Sequence, residues 1–162
     1  MMTLCCDVLN RLKGRTLVTA ESLTGGGIGA ALTAVSGSSS VYKGGIISYT
    51  NEVKHHILGV NTETLDQFGA VSAQTAAEMA AGVREVLHAD VAVSVTGLAG
   101  PGGDDYGNPV GTVFIGYCDA DRLVTREFHF SGDRESVRNR TIQAALNLVL
   151  EHNESKTSPK VV

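Results

Sequence analysis

Two side chains, Ser22 and Lys54, have the residue types and positions that a hydrolase could use. Ser22 follows a short apolar run and precedes glycines 25, 26, 27 and 29, so it lies at a predicted strand-to-helix turn. Backbone N–H groups of residues 24–27 would then be available to an oxyanion or a phosphate. Serine before a helix is more often only an N-cap, and on the local pattern alone capping is the favoured interpretation.

A serine nucleophile needs a base, and none of the five histidines is well placed for that role. His55 and His56 lie on a polar helix, His88 ends a helix, His129 alternates outward on a strand, and His152 lies near the C-terminus. GxSxG and HExxH patterns are absent from the sequence. The sequence therefore gives little support to a histidine-based hydrolase or a zinc enzyme.

Lysine can act as the base when burial lowers its pKa. Lys54 is the candidate, because it follows the second predicted strand at the same sheet edge as Ser22, with Tyr49 near enough to hydrogen-bond or relay a proton. The alternative is a solvated lysine in the first turn of a helix, and the local pattern alone favours it.

The elements that must position these residues alternate between strand and helix. Strands are predicted at residues 16–20, 44–49 and 90–96, followed by a hairpin of 113–118 and 123–130. Outward Glu127 and His129 indicate that the last strand is one-sided or at an edge. Helices are predicted from Thr3 as a cap to Gly14, after the glycines, from Asn51 as a cap, from Ser72, and over 133–152. This order predicts a single three-layer α/β/α domain with a mixed sheet.

Ligands of open α/β sheets bind at the carboxyl ends of the strands. The loops 21–27, 49–54 and 96–111 should meet there. Ten of the 19 glycines lie within residues 25–29 and 97–111. We interpret this excess as close backbone approach to one small phosphorylated ligand.

Composition excludes several classes of protein. The formal charge is −4 without a basic run, which argues against direct nucleic-acid binding. Apolar runs are far shorter than the ~18–20 residues of a membrane span, and residues 1–15 lack a signal-peptide core, so we expect a cytoplasmic protein. Cys5, Cys6 and Cys118 fit neither a disulfide framework nor a metal site. We expect one domain over 1–153 and a disordered tail over 154–162.

Seven stretches, in order along the chain, resemble the CinA carboxy-terminal domain family, the nicotinamide mononucleotide amidases. They are residues 18–26 (VTAESLTGG), 44–54 (GGIISYTNEVK), 58–60 (LGV), 69–72 (GAVS), 95–101 (VTGLAGP), 109–113 (PVGTV) and 130–134 (FSGDR). Each motif is modest, but the ordered set is specific and covers nearly the whole of the predicted domain.

The resemblance implies hydrolysis of the carboxamide of nicotinamide mononucleotide to nicotinic acid mononucleotide and ammonia, without a metal or organic cofactor. It implies Ser22 as nucleophile and Lys54 as its base, with Tyr49 and Thr96 at positions that assist or orient. The implied substrate contacts are Thr24, Gly25, Gly26, Gly97, Gly100 and Arg134, with Arg134 facing the substrate or its phosphate. Leu23 stands where the family commonly has cysteine, and Asn108 where lysine is common.

Two other functions compete with the amidase. Gly25-x-Gly27-x-x-Ala30 fits a dinucleotide fingerprint, although the second strand does not end in the acidic residue that such a site needs. A non-catalytic nucleotide-binding or competence- and damage-associated regulatory protein is the other alternative. The predicted partner is therefore a small molecule, with no membrane contact, and the predicted edge strand 123–130 would allow a homo-oligomer.

Overall fold

The computed structural model describes residues 1–154, which form five strands and seven helical segments. The strands are β1 (Leu17–Glu21), β2 (Tyr42–Ile47), β3 (Val91–Gly97), β4 (Thr112–Cys118) and β5 (Leu123–His129). The helices are α1 (Met2–Arg11), α2 (Gly27–Thr33), α3 (Asn51–His56), α4 (Thr62–Phe68), α5 (Ala73–Val86) and α6 (Arg134–His152), with a 3-10 turn at Ser38–Ser40. Apart from Glu154, the predicted disordered tail lies outside the described residues.

One mixed sheet runs in the order β2-β1-β3-β4-β5. β1 pairs in parallel with β2 and β3, whereas β3, β4 and β5 pair antiparallel. The register places Glu21 opposite both Ile47 and Val95, so the three parallel strands end at the same level. The side chains that follow them are therefore brought to one edge of the sheet.

Successive residues of the central strands point to opposite faces, and each face is covered by helices. On one face, Val93 and Ile115 belong to a core with apolar side chains of α1, α2 and α6. On the other face, Val18 and Ala92 pack with apolar side chains of α4 and α5. Every residue of β1 and all of β3 except Gly97 are buried, because both faces of these strands are covered. The predicted three-layer α/β/α fold is confirmed.

Two predicted caps are wrong. α1 begins at Met2 with no side-chain cap, so Thr3 lies inside the helix. The cap of α3 is Thr50 rather than Asn51, because Thr50 is extended and its hydroxyl accepts the Val53 N–H at 3.3 Å. Ser72 does cap α5, and the hairpin and the edge position of β5 are confirmed. The pattern did not predict α4.

Two glycines of residues 25–29 are explained by helix packing. A Cβ at Gly27 would lie 2.7 Å from Cδ1 of Ile142 on α6, and one at Gly29 would lie 2.7 Å from the hydroxyl of Tyr42 on β2. Glycine therefore lets α2 approach its neighbours. For these two positions, the interpretation as backbone approach to a ligand is corrected.

Candidate functional site

Ser22 lies in a tight turn directly after β1. Its N–H donates to the carbonyl of Val95 at 3.1 Å, which extends the β1–β3 pairing by one residue. Its carbonyl accepts the Gly25 N–H at 3.0 Å, which closes the turn. The side chain is 7% exposed, so its hydroxyl is sheltered yet reachable from the cavity described below.

Glu21 holds the turn after Ser22 and the start of α2 by accepting three hydrogen bonds. Its buried carboxylate accepts the Thr24 hydroxyl at 2.6 Å and the N–H groups of Ile28 at 2.8 Å and Gly29 at 3.1 Å. The first turn of α2 is thus already capped by an anion. The same contact argues against the dinucleotide alternative, because a pyrophosphate would need the donors that Glu21 occupies.

Lys54 reaches the turn from α3 and is only 1% exposed. Its Nζ lies 3.1 Å from Ser22 Oγ, 2.7 Å from the Ser48 carbonyl oxygen and 3.4 Å from the Tyr49 carbonyl oxygen. Burial lowers its pKa from 10.5 to about 8. The Thr50 cap and the six residues of α3 are enough to place this amine beside the carbonyls that follow β2.

A cavity of about 340 Å³ opens above this pair. Its wall combines apolar side chains with the backbone of the loop after β3. The lining residues that matter for chemistry are Ser22, Leu23, Tyr49, Lys54, Val71, Thr96, Gly97, Leu98, Gly100 and Arg134. The sequence prediction that loops 21–27, 49–54 and 96–111 meet at one sheet edge agrees with this wall.

Arg134 lies at the mouth of the cavity, at the start of α6. Its Nη1 donates to the Gly100 carbonyl at 2.6 Å and its Nη2 to the Tyr49 hydroxyl at 3.4 Å. Tyr49 is 60% exposed, and its hydroxyl binds this arginine rather than Ser22 or Lys54. Tyr49 contacts Lys54 through its carbonyl and Arg134 through its hydroxyl, and the relay of a proton by that hydroxyl stays a prediction.

Thr96 contributes to the wall through a backbone contact. Its hydroxyl donates to the Ala70 carbonyl at 2.7 Å, which ties the end of β3 to the segment before α5. The structure thus brings Ser22, Lys54, Tyr49, Thr96, Gly97, Gly100 and Arg134 together. All seven come from the predicted site set.

Three predicted substrate contacts, Thr24, Gly25 and Gly26, do not line the cavity. Thr24 is buried with its hydroxyl on Glu21, and the N–H groups of Gly25 and Gly27 are used inside the turn. Within residues 1–154, the N–H groups of Leu23 and Thr24 have no acceptor. The available donors therefore start one residue earlier than the predicted set 24–27.

Asn108 also lies off the cavity wall. Its side-chain amide donates to the Val71 carbonyl at 3.2 Å and to the Asp104 carboxylate at 2.8 Å. In this chain the residue at that position braces the loop 98–111 from the outside. The contact supports the wall segment around Val71 without reaching the cavity.

The described part of the chain contains no candidate metal-binding cluster. Among residues 1–154, no group of three or more His, Cys, Asp or Glu side chains could hold a metal ion, and no histidine lines the cavity. The three cysteines are unpaired thiols, of which Cys5 and Cys118 are buried. Over the same residues, no helix combines the length and the apolar character that crossing a membrane requires.

The arrangement suits acyl transfer. A buried hydroxyl lies within hydrogen-bond distance of an amine whose pKa is lowered to about 8. Such an amine is partly neutral near neutral pH and can take a hydroxyl proton.

Sequence reasoning missed two residues that hold the turn after Ser22. Glu21 binds the Thr24 hydroxyl and the Ile28 amide, and Arg138 binds the Leu23 and Thr24 carbonyls. A carboxylate at the end of β1, followed by the glycines that lead into α2, was the available signal for Glu21.

Curated relatives match this chain over most of its length. It is 49% identical over 137 residues to nicotinamide-nucleotide amidohydrolase PncC from Enterobacter agglomerans, covering 84% of this chain and 82% of that protein. It is 47% identical over 150 residues to a CinA-like protein from Endomicrobium trichonymphae, covering 88% of this chain and 35% of that protein. The chain spans about a third of the length of several curated relatives that it matches.

Solved structures share the fold and the family. A competence/damage-inducible protein from Agrobacterium tumefaciens superposes with a TM-score of 0.91 at 39% identity, covering 94% of this chain and 95% of that chain. A CinA superfamily protein from Klebsiella pneumoniae gives 0.91 at 34% identity, covering 94% and 96%. The family model of the CinA C-terminal domain matches residues 3–152. This chain belongs to the CinA C-terminal domain family.

Proposed function

We propose that this chain is a nicotinamide-nucleotide amidase. It hydrolyses the carboxamide of nicotinamide mononucleotide to nicotinic acid mononucleotide and ammonia. The observation that carries the proposal is the 3.1 Å contact between Lys54 Nζ and Ser22 Oγ on the wall of a cavity. The relative named as a nicotinamide-nucleotide amidohydrolase supports the choice of substrate.

In the first step, the Ser22 hydroxyl gives its proton to neutral Lys54 while Oγ bonds to the carboxamide carbon. Negative charge then develops on the carboxamide oxygen. Collapse of this intermediate breaks the C–N bond, and protonated Lys54 supplies the proton that lets ammonia leave. A water molecule, deprotonated by the now neutral Lys54, cleaves the acyl-enzyme and regenerates Ser22.

The developing oxyanion needs donors close to Ser22 Oγ. The N–H groups of Leu23 and Thr24 directly follow the nucleophile and have no acceptor within residues 1–154. A pair of backbone donors that is already oriented lowers the barrier without reorganisation. We assign the oxyanion site to the Leu23 N–H, whose residue lines the cavity, and to the Thr24 N–H of the next peptide group, while the Thr24 side chain is turned away from the cavity onto Glu21.

The phosphate of the substrate belongs at the cavity mouth. Arg134 is the cation that lines this cavity near solvent, and a guanidinium binds phosphate through two parallel hydrogen bonds. Tyr49 holds the guanidinium from one side, while Gly100 holds it from the other. The apolar side chains of Leu23, Val71 and Leu98 then face the pyridine ring between the two polar ends.

The test is ammonia release from nicotinamide mononucleotide by purified chain and by Ser22→Ala. We expect turnover to fall by about 10³-fold or more in Ser22→Ala with an unchanged circular dichroism spectrum, because the nucleophile is lost. Ser131→Ala, at an exposed serine outside the cavity, is the matched control and should keep full activity. Full activity in Ser22→Ala would show that another group is the nucleophile.

Calorimetry separates the amidase from the regulatory alternative. If nicotinamide mononucleotide binds to the wild-type chain and no ammonia is released, the chain is a nucleotide-binding protein and the amidase proposal is wrong. If ammonia is released only from other pyridine carboxamides, the reaction class stands and the choice of substrate is wrong.

A further inference from the structure

Arg138 binds carbonyls of the turn after Ser22, whereas Glu21 binds the Thr24 hydroxyl and two amides of α2. Arg138 lies on α6, one helical turn after Arg134, and is half-buried. Its Nε donates to the Leu23 carbonyl at 3.0 Å and its Nη2 to the Thr24 carbonyl at 3.2 Å. These carbonyls belong to the two residues that follow Ser22.

The donors of Arg138 are used on the backbone and not on a carboxylate. Within residues 1–154 it makes no ion pair, although three other ion pairs occur there. Withdrawing a guanidinium from water without a counter-charge is costly, so a fold gains little stability from this arrangement. The placement is better explained by what it does to the turn.

A trans peptide group directs its C=O and N–H to opposite sides. Holding the Leu23 carbonyl therefore also fixes the direction of the Thr24 N–H, which belongs to the same peptide group. The Ser22 carbonyl, held by the Gly25 N–H, fixes the Leu23 N–H in the same way. Both candidate oxyanion donors are thus oriented by contacts on their opposite sides.

Glu21 completes the support. Its carboxylate binds the Thr24 hydroxyl and the first amides of α2, while Arg138 binds the carbonyls of the same turn. The Arg138 guanidinium reaches the two successive carbonyls through two different nitrogens, Nε and Nη2, whose directions are fixed by the planar group, whereas the donors of a lysine amine rotate about one atom.

We propose that Arg138 is a positioning residue: by holding the Leu23 and Thr24 carbonyls it fixes the turn so that the Leu23 and Thr24 N–H groups can bind the oxyanion. Arg138 does not line the cavity, so the proposed role is to position the turn and not to contact the substrate. The inference rests on the proposed Ser22 chemistry, but it does not depend on which amide is hydrolysed.

The experiment uses p-nitrophenyl acetate, which reports on Ser22 independently of the nucleotide substrate. Ser22 Oγ bonds to the acetyl carbon, p-nitrophenolate leaves, and Lys54 takes the hydroxyl proton. The rate of nitrophenolate release and the mass of the acetylated chain are measured for wild type, Arg138→Met and Arg138→Lys. Arg140→Met is the matched control, because Arg140 lies on the same helix and contacts only the Ser131 hydroxyl.

We expect Arg138→Met to slow acetylation, and turnover of nicotinamide mononucleotide, by about tenfold or more, because oxyanion donors that must reorient lose much of their effect. The KM and the pH midpoint of acetylation should stay at their wild-type values, since neither the Arg134 contact nor Lys54 is altered. Arg138→Lys should be acetylated at a rate between those of Arg138→Met and wild type, and Arg140→Met should be acetylated at the wild-type rate.

Acetylation of Arg138→Met at the wild-type rate would overturn the inference. So would a loss matched by the unfolded fraction in circular dichroism, or a shifted pH midpoint, which would mean that Arg138 acts through the charge of Lys54. If Arg138→Met does not fold, Arg138→Lys decides: a slower rate at unchanged KM supports positioning, and an unchanged rate contradicts it.

The two proposals fail separately. If wild type releases no ammonia from the nucleotide but Ser22 is acetylated with the Arg138 dependence described above, the proposed substrate is wrong and the positioning role stands. If Ser22 of the wild type is not acetylated at all, the positioning role is overturned.

Discussion

A buried ionisable group lies at each end of the sheet, and the two are treated in opposite ways. At the carboxyl end of the parallel strands, Lys54 is surrounded by neutral oxygens of Ser22, Ser48 and Tyr49. At the far end, Asp119 follows β4 and accepts hydrogen bonds from the Tyr117 hydroxyl, the N–H groups of Asp121 and Arg122, and the Arg122 guanidinium.

The two pKa values record this difference. Burial lowers the pKa of Lys54 to about 8, and no opposite charge restores it. Burial would raise the pKa of Asp119, but hydrogen bonds from Arg122, Tyr117 and two backbone amides lower it to about 2. Compensated burial at Asp119 stabilises the fold, whereas uncompensated burial at Lys54 gives an amine that is partly neutral near neutral pH. The fold therefore loses stability at the end of the sheet that carries the proposed active site.

Lys54→Met gives the largest expected effect. The side chain keeps its approximate shape and loses its basicity, so turnover should fall by about 10³-fold or more. Stability should rise by about 2 kcal/mol at neutral pH, because a lysine whose pKa drops from 10.5 to about 8 opposes folding by about 3 kcal/mol and lost hydrogen bonds offset part of the gain. Urea denaturation and ammonia release measure both quantities.

The control for Lys54→Met is Lys43→Met, at an exposed lysine on β2 that binds only the His88 carbonyl. It should change neither quantity appreciably. A Lys54→Met chain less stable than wild type would mean that the amine is compensated by contacts as Asp119 is, and the comparison between the two ends would fail.

The pH dependence of activity follows from the same pKa. The neutral amine is the active form, so kcat/KM should rise by about 50-fold between pH 6 and pH 8 and level off above that. Stability has the matching sign: between about pH 8 and pH 10.5 the unfolded chain binds more protons than the folded one, so the free energy of unfolding rises with pH there. Lys54→Met should lose this rise, and a flat activity profile in wild type would contradict the assignment.

Asp119→Asn tests the opposite end. The carboxylate is 5% exposed, and its lowered pKa corresponds to about 2 kcal/mol of stability. For a carboxyl with a lowered pKa, this contribution is complete above about pH 4 and is lost as the pH falls towards 2. The variant should therefore lose about 2 kcal/mol at pH 7 in urea denaturation and keep its turnover. A loss of turnover without a loss of stability would contradict the division of roles.

The order of strands and helices was predictable because apolar periodicity decides which faces are buried. The nearly continuous apolar run 90–96 predicted a strand covered on both sides, and apolar residues at helical spacing predicted a helix starting near Ser72. The cap of α3 was misplaced by one residue because Thr50 and Asn51 are both good caps, and only the extended backbone of Thr50 separates them. The start of α1 was misplaced because this helix begins without a side-chain cap, so no capping pattern marks it.

The candidate site was predictable where it consists of side chains that follow the ends of the strands. Ser22, Lys54 and Arg134 could be named because family motifs mark them and the loops that carry them follow adjacent strands. The orientation of the Tyr49 hydroxyl and the supporting contacts of Glu21 and Arg138 could not be named. They depend on distances between α2, α6 and the turn, which no local pattern encodes.

The smallest expected effects come from substituting one arginine at each end of the sheet, Arg134 and Arg122. Arg134 is exposed and holds neutral oxygens at the cavity mouth, whereas Arg122 binds Asp119 and lies 5.4 Å from the Tyr117 ring centre. Arg134→Ala should raise the KM for nicotinamide mononucleotide about tenfold and change kcat less, because a contact with the phosphate is equally strong in the ground and transition states. Arg122→Ala should lower stability and leave KM unchanged. Steady-state kinetics and urea denaturation of both variants decide the matter: if Arg134→Ala lowers kcat with KM unchanged, the guanidinium acts on the reacting carboxamide and not on the phosphate.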